Sequence, residues 1–99
     1  MASINWTAEA QRWLKDIYDY IAADSTEAAT RTITGIHAKA ETLLAFPEIG
    51  HRYRADSDIR ILLYGHYRIA YLIKSNQDVD ILGVFHGALD IERYFGGWP

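Results

Sequence analysis

Apolar residues recur at steps of three and four along two consecutive stretches of this chain, with a link of about three residues between them. Ala10, Trp13, Leu14, Ile17, Tyr20 and Ile21 form the first set; Ala29, Ile33, Ile36, Ala40, Leu43 and Leu44 form the second. This spacing puts each set on one face of an α-helix. Thr7 and Asp24-Ser25-Thr26 offer N-caps, with Glu9 and Glu27 in the first turns. The pattern predicts one helix over about 8–23 and a second that ends before Pro47. So short a link folds them back on each other as an antiparallel hairpin. Each helix then has an apolar stripe to bury, and the rest of the chain must supply the surface. The Trp13 and Tyr20 stripe is accordingly read as core. Gly35 costs the second helix about 1 kcal/mol relative to Ala, a cost expected to permit close packing on the first helix.

The remaining chain changes period. Ser3-Ile4-Asn5-Trp6 alternates and reads as a short strand ahead of the hairpin. Pro47-Glu48-Ile49-Gly50 is a turn, and the polar stretch from His51 to Asp58 reads as a mobile loop. Ile59 to Tyr64 and Tyr67 to Lys74 are β-like, and Gly65-His66 between them signals a tight hairpin. After the turn at Ser75-Asn76-Gln77-Asp78, the run from Asp80 to His86 is almost continuously apolar, as in a strand buried on both faces. The expected order is β-α-α-β-β-β with a short helical turn near 90–95. The fold class is α+β, a helix hairpin on a small, curved, mainly antiparallel sheet, as a single domain over 1–99.

Composition narrows the function classes. The chain has no cysteine, so neither disulfides nor thiolate chemistry are open to it. No apolar run approaches the roughly 20 residues of a membrane span, and the N-terminus lacks the pattern of a signal peptide; a cytoplasmic protein is expected, without membrane contact. Ten Lys and Arg against thirteen acidic residues give a net charge of −3. Dedicated nucleic-acid binders are usually basic, because phosphate contacts dominate their affinity. Direct sequence-specific binding to nucleic acid is therefore not expected. The four histidines show no metal-ligand spacing, and neither a metal nor a cofactor is expected.

The element order together with certain residues resembles the RelE/ParE toxin superfamily. Trp6 and Ala10 match at the first strand–helix junction, and Ile17, Tyr20 and Ile21 in the first helix. Leu43-Leu44, Pro47 and Gly50 match the exit from the second helix. Tyr67-Arg68-Ile69-Ala70-Tyr71 resembles the Tyr-Arg strand, and Val79 to Val84 with His86 and Asp90 the final strand and its following turn. The resemblance implies the toxin of a type II toxin–antitoxin, plasmid-stabilising module, held inactive by an antitoxin. It also implies two alternative targets: RelE-like members cut mRNA on the ribosome, and ParE-like members inhibit DNA gyrase.

Metal-free RNA cleavage needs a base, an acid and cations for the phosphate charge. If this chain were such a nuclease, Arg60, Arg68, Tyr94 and His86 would carry the reaction. Yet the second basic position of the nuclease pattern falls on Leu62, and another falls on Leu89. With the acidic balance, this favours the ParE-like, gyrase-inhibiting branch over the mRNA endonuclease, and a binding toxin over an enzyme. A degenerate toxin that only binds antitoxin is a third possibility. Candidate target or antitoxin contacts are Arg52, Tyr53, Arg54, Arg68, His86, Asp90 and Trp98. Most have a bland counterpart: Arg52-Tyr53-Arg54 as a solvated loop, Arg68 as a structural partner of Asp80, His86 and Asp90 as strand-end and capping groups. Trp98, behind Gly96-Gly97, either docks on its own core or reaches a partner.

Overall fold

The computed structural model describes residues 1–87. The expected turn near 90–95, along with Leu89, Asp90, Tyr94 and Trp98, lies outside the described residues. The elements are β1 (Ile4–Trp6), α1 (Ala8–Ala22), α2 (Thr26–Glu41), a 3-10 turn (Thr42–Leu44), β2 (His51–Arg52), β3 (Arg60–Tyr64), β4 (Tyr67–Ile73) and β5 (Val79–His86). Both caps form as their residue types dictate. The Thr7 hydroxyl accepts from the Ala10 amide at 3.1 Å and donates to the Ile81 carbonyl at 2.7 Å, so one side chain starts α1 and fastens it to β5. Ser25 starts α2 by accepting from the Ala28 amide.

The sheet runs in the order β1-β5-β4-β3-β2, with β1 parallel to β5 and every other pair antiparallel. Gly65-His66 closes the β3–β4 hairpin between paired Tyr64 and Tyr67. Gly65 has φ +57, as glycine at the first central position of a type II′ turn allows. The polar stretch after Gly50 is not wholly a loop: His51 and Arg52 pair with Ile61 and Arg60 as a two-residue edge strand. Such a strand is held by backbone pairing at one edge and carries no apolar alternation, so its side chains do not announce it.

Both helices lie on the face of the sheet that carries Leu62, Ile69, Tyr71, Val79, Ile81 and Val84, and Leu14, Ile36 and Leu43 pack there. By alternation the other face carries a second cluster of Ile61, Ala70 and Phe85. β5 is thus buried on both faces, as its composition predicts. Two expectations about the helices are corrected. Tyr20 is 84 % exposed rather than core. At Gly35 the nearest neighbour is a tyrosine of the sheet, not the first helix. A Cβ there would meet the Tyr64 hydroxyl at 1.8 Å, so the glycine admits a ring from β3. Gly35→Ala is therefore expected to lower the melting temperature although alanine favours helix by about 1 kcal/mol. In a Tyr64→Leu background the same change should be neutral or stabilising, which thermal unfolding of the double-mutant set measures.

Candidate functional site

Tyr71 is fully buried, and it ties the turn after the helices to the sheet. Its hydroxyl donates to the Pro47 carbonyl at 2.7 Å and accepts from the Gly50 amide at 3.0 Å. Burial pushes its pKa up, against the lowering effects of the Gly50 amide and the Arg60 charge, while Glu48 raises it further. Arg60 works on the same turn. It donates to the Gly50 carbonyl at 2.8 Å and the Glu48 carbonyl at 3.3 Å, and stands 3.8 Å from the Glu48 carboxylate with only 16 % of its side chain exposed. Its guanidinium is thereby held against the turn.

Arg68 is half-buried and pairs across the sheet with Leu63 and Phe85. Its register puts it on the face away from the helices, whereas Arg60 shares the helix face with Leu62. The two arginines are therefore not brought together. Leu62 itself is 5 % exposed, inside the core. The expected alternative partner of Arg68 is also ruled out. Asp80 accepts from the Asn5 side-chain amide and lies 3.7 Å from the Lys74 ammonium, and Arg68 makes no hydrogen bond or ion pair among the described residues.

The other candidates are spread over the surface. Arg52, on the edge strand, donates to the Ser57 carbonyl and braces its own loop. Arg54 stacks on the Tyr53 ring at 5.2 Å. His86 ends β5 with its ring 5.4 Å from Tyr67 and 6.1 Å from His66. A cleft of about 630 Å³ near the edge strand is lined by Glu48, Asp58 and Asp80 as well as Arg52, Arg60 and Lys74. Its acids match its bases, which is a poor track for a polyanion. Among the described residues no group of three or more His, Asp or Glu is placed to hold a metal ion. No described helix is long and apolar enough to cross a membrane.

What this surface does offer is apolar. One groove of about 470 Å³ lies beside α1 against Trp6, Leu14, Tyr18, Ile33 and His37. Another, of about 320 Å³, is lined by Trp13, Asp16, Ile17 and Tyr20 of α1 with Tyr67, Val84 and His86 of the sheet. Leu44, Phe46 and Ile49 stand exposed on the turn after α2. Sequence reasoning missed the second groove and this turn. The only available signal for the turn was a cluster of large apolar residues around Pro47, where polar ones are the rule.

The described residues thus form a two-helix hairpin on a small open sheet, with apolar grooves on its surface. The family described as the ParE toxin of the type II toxin–antitoxin system parDE matches residues 4–91. This chain belongs to that family, the toxin side of a type II module. It is 36 % identical over 84 residues to the protein Y4kP of Sinorhizobium fredii, a toxin by its name, covering 84 % of this chain and 85 % of that one. The fold is also that of the chromosomal ParDE system from P. aeruginosa, at TM-score 0.76 and 22 % identity over 89 % of this chain and 98 % of that chain. The RelBE2 toxin–antitoxin complex from Mycobacterium tuberculosis superimposes at TM-score 0.67 and 22 % identity, covering 86 % and 96 %. At that identity the two structures speak for the fold.

Proposed function

We propose that this toxin acts in the cytoplasm by binding rather than by cutting RNA, that its target is DNA gyrase, and that a cognate antitoxin holds it inactive. The observation that carries this reading is the fate of the cations. Arg60 is engaged by the Pro47–Gly50 turn, Leu62 is core, and Arg68 lies on the opposite face of the sheet. A phosphorane gathers extra negative charge as it forms, and cations divided between two faces of a sheet do not stabilise it together. The antitoxin is assigned the apolar surface of the helix hairpin and the sheet edge, where Tyr20 of α1 and Leu63 of β3 stand exposed.

Two assays on the purified protein, run side by side, test the reading. Supercoiling by gyrase is expected to be inhibited, and mRNA on translating ribosomes to remain intact. Codon-specific cleavage that disappears in Arg68→Ala would establish the endonuclease alternative instead, with that arginine stabilising phosphate charge.

A further inference from the structure

We infer that the groove between α1 and the far end of the β4–β5 ladder is a seat for an apolar side chain of the antitoxin carried beside a lysine or arginine. This rests on the toxin–antitoxin reading above. Trp13, Ile17 and Tyr20 recur at helical spacing along one side of the groove, and Tyr67, Val84 and His86 close the other. Its volume of about 320 Å³ is at the small end for ligand sites, which run from about 300 to 1,000 Å³. It suits one or two side chains better than a cofactor. Tyr20 stands at its rim, 84 % exposed. Tyrosine rings are among the side chains that most often anchor an interface. Burial pushes the Tyr67 phenol pKa up, and Tyr20 raises it further.

Charge specifies the rest of the occupant. Along the exposed side of α1, Glu9 pairs with Arg12 and Lys15 with Asp19, so these four charges are matched within the helix. Asp16 lines the groove; it makes no hydrogen bond or ion pair among the described residues and acts on neighbouring Lys15 only through space, as the weakest of the influences on that ammonium. The last turn of α1 contains no basic residue, so the partial negative charge of the helix C-terminus is not offset from within the helix. An apolar wall with a negative rim selects a partner that brings a cation beside its hydrophobic anchor. The other apolar surfaces do not specify this. The groove at Trp6 has Lys15 on its rim, and the Leu44, Phe46 and Ile49 turn is flanked by Glu48, which already faces Arg60.

The test uses the whole toxin and, as probe, the separately purified product of the reading frame adjoining its gene, titrated by calorimetry. Asp16→Lys and Tyr20→Ser alter exposed side chains, so both variants should melt close to the parent. Each is expected to weaken the complex at least tenfold, whereas Phe46→Ser should not. A lysine- or arginine-to-glutamate change in the probe should restore affinity for Asp16→Lys. A probe that binds parent and both groove variants alike overturns the inference and leaves the toxin–antitoxin reading standing. A probe that fails to bind the parent overturns both.

Discussion

Gly50→Ala is expected to destabilise the protein by about 2–4 kcal/mol, from overpacking and a lost buried hydrogen bond together. A Cβ at Gly50 would lie 2.6 Å from the Tyr71 hydroxyl and 2.7 Å from the Ile61 carbonyl. The ring is enclosed in the core and the carbonyl is backbone, so neither neighbour can step aside cheaply. If the ring does move, the Pro47 carbonyl and the Gly50 amide lose the one hydroxyl that serves both. Tyr71→Phe isolates that second effect and should cost about 1–3 kcal/mol, the range for leaving buried polar groups unsatisfied. Urea denaturation of both variants measures the difference, and a Gly50→Ala cost no greater than that of Tyr71→Phe would show that the turn relaxes away from the ring. A domain of this size has little stability to spare, so the larger loss should also lower toxin abundance in cells.

Phe85→Ala is expected to cost about 3–5 kcal/mol, the range for emptying an aromatic site in a core. Phe85 is fully buried, and the ring of Trp13 meets it edge-on at 4.7 Å. Gly83 is bound to the same arrangement. A Cβ there would come within 2.8 Å of the Phe85 ring and 3.4 Å of Trp13. Gly83→Ala alone should therefore destabilise, while in the Phe85→Ala background its methyl enters vacated space and should recover part of the loss. Additive costs in this double-mutant cycle would mean that the Phe85 ring is not what keeps residue 83 a glycine.

These packing relations explain why the site was harder to read than the fold. The basic positions of the strands were visible as residues, and Leu62 was visible as the wrong residue for a phosphate contact. That Arg60 turns inward onto Glu48 and Gly50 was not visible, because its partners lie ten and twelve residues away in a turn of ordinary composition. Gly35 shows the same limit. Its presence in a helix signalled close packing, but the partner ring comes from Tyr64 on β3, not from the neighbouring helix. Tyr20 fits the apolar spacing of α1 and still stands 84 % exposed, at the rim of a groove whose other wall is the sheet.

By itself the sequence determined the local order of this protein. Helical spacing, hydroxyl caps and a short link dictate the α1–α2 hairpin, and the Gly65-His66 pair dictates the β3–β4 turn, since each depends on residues close together in the chain. The continuous apolarity of β5 likewise required an interior strand. Only the tertiary structure decided which strand lies beside β5, that β1 joins it in parallel, and that His51 and Arg52 extend the opposite edge. It alone sent Arg60 and Arg68 to different faces of the sheet and opened the groove beneath Tyr20. Those outcomes depend on contacts between residues far apart in the chain, where backbone pairing and ring packing choose the neighbour and local periodicity has no say.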